Sequence, residues 1–301
     1  MGLMRIRDLR KKFGHMDAVK GIDFELEEGM CVSLLGPNGA GKTTTLKMLS
    51  GLLAPTAGTI TFKGEQISDL RPLIGYLPQY PTFFPWMTGK EFLVFAGQLA
   101  KLNRKEAERR SMELLERVGL THAMKRRIGG YSGGMKQRLG LAQALIHRPS
   151  LLILDEPVSA LDPLGRREVL DMMREIKKET TILFSTHVLH DAEEISDHIL
   201  IMHAGDIVVS GGLREVMESN RQPVIEIEFE SQESEWLKSI GEYSFVSEVN
   251  SQGNTAKILL DDLIKGKHVL LKEIVERNLS IRKFETAHTT LEDLFMKVVK
   301  A

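Results

Sequence analysis

The stretch GPNGAGKTT, Gly36 to Thr44, decides how this chain folds. Gly36, Gly41, Lys42 and Thr43 occupy the fixed places of the phosphate-binding pattern G-x-x-x-x-G-K-[ST]. Both flanks agree with it. CVSLLG (Cys31 to Gly36) is a short apolar run of the kind a buried strand needs. TTTLKMLSGL (Thr43 to Leu52) spaces its apolar residues as a helix does and meets a stop at Gly51. Strand, glycine loop and helix in that order let several backbone N–H groups turn inward, and the new helix adds the positive end of its dipole. Lys42 is expected to reach the outer phosphates and Thr43 to give its hydroxyl to Mg²⁺. An ordinary glycine turn before a helix would not need the full spacing and both flanks. The stretch points to a nucleoside triphosphate and leaves open what the nucleotide is for.

The chain has 301 residues, enough for about two domains at the usual ~150 residues each. A net charge of -1 gives no global basic field, so no nucleic-acid partner is expected. Cys31 is the single cysteine, which excludes an intramolecular disulfide and fits a reducing compartment. The N-terminal MGLMRIRDLRKKFG lacks the apolar core of a signal peptide. No apolar run approaches ~18 residues, so any service to a membrane is expected to go through a partner.

Taken in order, residues 3 to 35 read as strands, with IDFEL (Ile22 to Leu26) alternating cleanly. Phe13, in the short loop KKFG, either stacks on a purine ring or simply packs. TITFKG (Thr59 to Gly64) reads as a strand, and IGYLPQ as another that ends at Gln79. An amide just past such a strand sits on the ligand edge of an α/β sheet, where it either bonds a Mg²⁺ water or faces solvent. YPTFFPWMT (Tyr80 to Thr88) gathers Tyr80, Phe83, Phe84 and Trp86 between prolines, a loop either tucked onto a core or offered to a partner. Helices over Gly89 to Leu102 and Arg104 to Val118 make residues 80 to 145 a mostly helical insertion. YSGGMKQR (Tyr131 to Arg138) opens another helix through glycines, either a plain cap or a second anion site.

LLILDEP (Leu151 to Pro157) is a buried strand that ends in two carboxylates. Asp155 suits Mg²⁺, and Glu156 suits the polarisation of an attacking water. Adjacent acids at the end of a buried strand are costly without a cation. VSALD (Val158 to Asp162) links to a helix opened by Pro163, and TTILFSTH delivers His187 at the end of another buried strand, on the same sheet edge. SNRQP (Ser219 to Pro223) breaks the pattern and reads as a linker, dividing the chain at 1–218 and 219–301. The remainder follows the order β-α-β-β-α-β, a ferredoxin-like arrangement, with a last helix from Thr289.

These motifs, in this order over residues 3 to 218, resemble the ATP-binding subunit of an ABC transporter. GPNGAGKTT resembles its phosphate loop, YSGGMKQR its signature motif, LLILDEP its magnesium strand with the catalytic glutamate, SALD the loop that follows and STH the switch-histidine segment. The resemblance implies an α/β P-loop NTPase cassette with a mixed sheet and a helical subdomain, joined to a small α+β accessory domain. It implies ATP held by Gly36, Pro37, Asn38, Gly39, Ala40, Gly41, Lys42, Thr43 and Thr44, with Phe13 on the adenine. Gln79, Thr43 and Asp155 then hold Mg²⁺, Glu156 orients the water and His187 contacts the outer phosphate. It further implies a head-to-tail dimer, homo- or heteromeric, in which Ser132, Gly133, Gly134 and the Asp162 loop of one subunit close the nucleotide of the other. Tyr131, Phe13 and Val158 depart from the commoner leucine, tyrosine and threonine. The tail ending in TLEDLF (Thr290 to Phe295) resembles that of ABC-2 type exporter ATPases. A peripheral protein on the cytoplasmic side of the cell membrane, docked on a separate polytopic permease, is thus expected. Two rivals remain: a soluble ABC-type ATPase acting on the ribosome or nucleic acid, and an importer ATPase. A chain with one cassette and no long coiled coil argues against the first.

Overall fold

The computed structural model of the chain describes residues 2–159, 161–219, 223–230, 234–288 and 290–300. Ala160 of the SALD loop, residues 220–222 of the expected linker and Thr289 lie outside the described residues. The chain divides into two compact units, Met1–Leu213 and Arg214–Ala301.

The first unit opens with β1 (Gly2–Phe13), β2 (Met16–Glu27), β3 (Cys31–Leu35), α1 (Lys42–Leu49), β4 (Ala57–Phe62) and β5 (Ile74–Leu77). Three helices follow: α2 (Gly89–Leu99), α3 (Arg104–Arg117) and α4 (Gly133–Leu145). It continues through β6 (Leu151–Asp155), α5 (Pro163–Lys177), β7 (Thr181–Thr186), α6 (Leu189–Ile195), β8 (His198–His203) and β9 (Asp206–Gly212). The next helix, α7 (Leu213–Ser219), begins at the division.

Among the described residues, six strands of this unit form a sheet in the order β5-β6-β7-β3-β8-β9, parallel except for β9. Every residue of β3, β6 and β7 is buried, as a strand covered on both faces requires. Successive side chains of β6 go to opposite faces. Leu152 and Leu154 join the core shared with α2, α3 and α4. Leu151 and Ile153 join the core beneath α1 and the antiparallel sheet β2-β1-β4. Each such leucine contributes about 1.5–3 kcal/mol by leaving water. The parallel strands therefore point their C-terminal ends to one edge, and the residues that follow β3, β5, β6 and β7 meet there.

The helical insertion is built from good local signals. Thr88 and Glu91 form a capping box for α2, Asn103 caps α3, and Ser132 caps α4 by accepting the Met135 N–H at 3.2 Å. Tyr131 is buried and donates its hydroxyl to Ala123 O at 2.7 Å. Gly89 makes room for it, since a Cβ there would stand 2.4 Å from the Tyr131 hydroxyl oxygen.

The second unit holds β10 (Pro223–Phe229), α8 (Ser234–Ile240), β11 (Val246–Gln252), β12 (Thr255–Leu260), α9 (Leu263–Glu276), β13 (Ile281–His288) and α10 (Leu291–Lys300). Its sheet runs β11-β12-β10-β13, antiparallel throughout, which is the ferredoxin-like order. Ile225, Ile227 and Phe229 of β10 pack with Trp236, Leu270 and Ile274 in a core of its own. No helix among the described residues is long and apolar enough to cross a membrane.

Candidate nucleotide-binding site

Gly36 to Gly41 leave β3 and turn into α1. Backbone crowding dictates the glycines: a Cβ on Gly36 would stand 2.3 Å from Met202 O, and one on Gly41, at φ +106°, would stand 2.6 Å from Ala18 O. Lys42, the first helical residue, is buried and folds back to donate to Gly36 O at 2.7 Å and Pro37 O at 3.1 Å. Burial pushes its pKa below the ordinary lysine value, an effect partly offset by the negative charges of Glu156 and Asp155. An electropositive pocket of backbone N–H groups with a desolvated ammonium is what an anion needs.

The other strands deliver the rest. Thr43 donates its hydroxyl to Asp155 Oδ1 at 3.1 Å. Gln79 donates from Nε2 to Glu156 Oε2 at 3.0 Å, and His187 Nδ1 lies 3.2 Å from the same oxygen. Lys42 Nζ stands 4.0 Å from Glu156 Oε1. Lys42, Thr43, Gln79, Asp155, Glu156 and His187 are thus brought together from four strands. One hydroxyl, one carboxylate and one amide fit Mg²⁺, which takes few protein ligands and completes its shell with phosphate and water.

Ser185 is the residue that motif reading missed. It is fully buried on β7, donates to Asp155 Oδ1 at 2.7 Å and accepts the Glu156 N–H at 3.0 Å. A serine inside an apolar strand carries no pattern of its own, so only the fold reveals its place between the carboxylates. Glu156 itself sits at φ +47°, the left-handed region, at a cost of about 1–3 kcal/mol. The backbone turns sharply there and presents the carboxylate to Gln79 and His187.

Several expectations change in detail. Phe13 is the last residue of β1, paired with Met16, rather than a loop residue, because the hairpin turns only at Gly14 and His15. Its ring is exposed, with Lys11 Nζ at 5.1 Å from the centroid. The strand expected to reach Gln79 stops at Leu77, since Pro78 has no N–H for the ladder. The aromatic loop divides: Phe83 packs edge-on against Phe92 at 5.0 Å, whereas Tyr80, Phe84 and Trp86 are exposed. Ser132, Gly133 and Gly134 open α4 with Ser132 and Gly133 exposed, and no hydrogen bond among the described residues joins them to the Lys42 loop. Asp162 caps α5, accepting the Gly165 N–H at 2.9 Å.

A phosphate loop at the sheet's central strand, facing two carboxylates and a histidine, defines a nucleotide-hydrolysing cassette. Residues 19–159 match the ABC transporter family model, and residues 211–299 match the C-terminal domain of DrrA1-3-like ATP-binding proteins. The chain is 50% identical to the ABC transporter ATP-binding protein YxlF of Bacillus subtilis (strain 168), over 99% of this chain and 100% of that one. It is 31% identical to the linearmycin resistance ATP-binding protein LnrL of the same organism, over 98% of each. Among solved structures, an ATP-binding subunit of an ABC transporter superposes with a TM-score of 0.65 at 33% identity, covering 72% of this chain and 92% of that one. The chain belongs to the ABC transporter ATP-binding proteins: it is an ATP-binding, ATP-hydrolysing subunit. Subunits of this kind dimerise and work with membrane permease components.

Proposed function

We propose that the chain powers an exporter from the cytoplasmic side of the cell membrane, docked as a peripheral subunit on a separate polytopic permease. The LnrL relative, a resistance protein, and the DrrA-like tail support export. The observation that carries the chemistry is the cluster at the sheet edge, where the Glu156 carboxylate touches Gln79 and His187 within 4.0 Å of Lys42. Residues 1–218 act as the cassette and 219–301 as the accessory domain.

Lys42 leaves the loop carbonyls for the outer phosphates, and Gly36 to Thr44 bind the triphosphate through backbone N–H groups. Phe13 offers its exposed ring to the adenine. Thr43, Asp155 and Gln79 hold Mg²⁺, which neutralises phosphate charge when bound. Glu156 accepts the proton of the attacking water. His187 shares that carboxylate and contacts the outer phosphate as charge develops; loss of one such contact costs on the order of 10²–10³ in rate.

Ser132, Gly133 and Gly134 are exposed or half-exposed at a helix start and close the nucleotide of a facing subunit, identical or related, with Asp162 beside them. Tyr80, Phe84 and Trp86 meet the permease, because they follow Gln79 directly and move with it. Glu156→Gln tests the reading. That variant is expected to bind ATP, stop turning over and accumulate as a dimer in size-exclusion chromatography. Parental turnover would remove Glu156 from the chemistry.

A further inference from the structure

Asp191, away from the nucleotide cluster, is fully buried. Arg166 grips its Oδ1 with Nε at 2.8 Å and Nη2 at 2.5 Å, and Oδ2 is buried with no hydrogen-bond partner among the described residues. The fork is therefore the hydrogen-bonded hold on this carboxylate, and it joins two elements that matter to the site. Arg166 stands in the first turn of α5, just after the Val158 to Asp162 loop. Asp191 stands in α6, four residues after His187.

The helix α6 has little stability of its own. It is seven residues long, and its N-cap, Val188, supplies no side-chain cap. Its place must come from tertiary contacts: burial of Ala192 and Ile195, and charge pairs to α5. Those pairs run in register. Arg166, Arg174 and Lys177 of α5 meet Asp191, Glu194 and Asp197 in the same order. The last rung continues inward, where Asp197 Oδ2 accepts the Cys31 N–H, the start of β3, at 2.8 Å. Arg166, Arg174 and Lys177 are each about a third exposed, but of the three acids only Asp191 is fully buried, so the first rung is the one whose carboxylate water cannot reach.

We propose that Arg166 is a positioning residue for His187, acting through Asp191. The fork fixes the start of α6 and, with it, the short link that carries the imidazole to Glu156. A lysine would supply one point donor where Oδ1 now accepts two N–H groups of one rigid guanidinium, so charge alone does not reproduce the hold. The proposal rests on the role given above to His187.

The test is a double-mutant cycle on steady-state ATP hydrolysis with Arg166→Gln, His187→Ala and both together. Arg166→Gln is expected to lower kcat about 10- to 100-fold, as a displaced catalytic group does, with KM for ATP changed by no more than about 2-fold. In the His187→Ala background the same substitution is expected to cost almost nothing more, because the histidine it positions is gone. Arg166→Lys, which keeps the charge, is expected to fall between parent and Arg166→Gln, and it carries the cycle if Arg166→Gln does not fold. Additive losses in the double variant, or a loss confined to KM, would overturn the proposal and leave the role of His187 standing. A His187→Ala variant with parental kcat would remove both.

Discussion

Ser185→Ala removes one hydroxyl and two buried hydrogen bonds. The hydroxyl now donates to a carboxylate, Asp155 Oδ1 at 2.7 Å, and accepts from the Glu156 N–H at 3.0 Å. A bond to a charged group is worth about 1.5–3 kcal/mol and a neutral one about 0.5–1.5, so the pair is worth about 2–4.5 kcal/mol. Asp155 keeps its Thr43 contact at 3.1 Å, whereas the Glu156 N–H loses its side-chain acceptor. That N–H belongs to the residue with φ +47°, so the clasp on the strained turn is what the substitution opens. At about 2–4 °C per kcal/mol for a unit of this size, the melting temperature is expected to fall by about 4–18 °C. Turnover is expected to fall as well, with a higher Mg²⁺ concentration at half-saturation, because Asp155 and Glu156 are no longer held in one frame. Thermal melts and a Mg²⁺ titration of ATPase activity read both effects. Ser185→Thr, which keeps the hydroxyl, is expected to recover most of the Mg²⁺ dependence even where its methyl costs stability. A Ser185→Ala protein with the parental melting temperature and parental Mg²⁺ response would refute the reasoning.

Lys42→Ala is expected to weaken ATP binding at least about 10- to 100-fold, the loss of one charge-assisted contact, and equilibrium dialysis with ATP measures it. Serine at both Phe84 and Trp86, whose rings lie 5.1 Å apart, is expected to leave ATPase activity near parental while transport in the reconstituted complex fails. A drop in melting temperature instead would make the pair part of the core. His147 is held below the usual histidine pKa by burial, partly countered by its bond to Ile74 O at 3.2 Å. Its unfolded form takes up a proton that the folded form refuses, so stability is present above about pH 6.5 and is lost as pH falls from there. Melting curves between pH 7.5 and 5.5 are expected to show that slope, and His147→Gln is expected to flatten it.

Much of the cassette can be read from residue order alone, for physical reasons. A strand buried on both faces must be a continuous apolar run, and CVSLL and LLILD are such runs, each followed at once by chemistry. The phosphate loop needs glycine where a Cβ would strike a neighbouring carbonyl, which is why its spacing is rigid. Gln79 and His187 were legible because they follow strands that share an edge. Ser185 was not, since its two partners lie 30 and 29 residues away and no local pattern predicts such a bond. Arg166 and Asp191 escaped for the same reason, each looking like a solvated helix charge until the fold closes over the carboxylate. The split aromatic loop was beyond reach too: which ring turns inward depends on where Phe92 presents its face.

The left-handed backbone at Glu156 has a consequence for how such subunits decay. Glycine would occupy that conformation freely, and asparagine at small cost, so replacing the acid by either should leave a protein that folds more readily than its parent. Selection for folding or abundance alone would favour the inert version. On the role proposed for Glu156, only a demand for turnover keeps the glutamate in place.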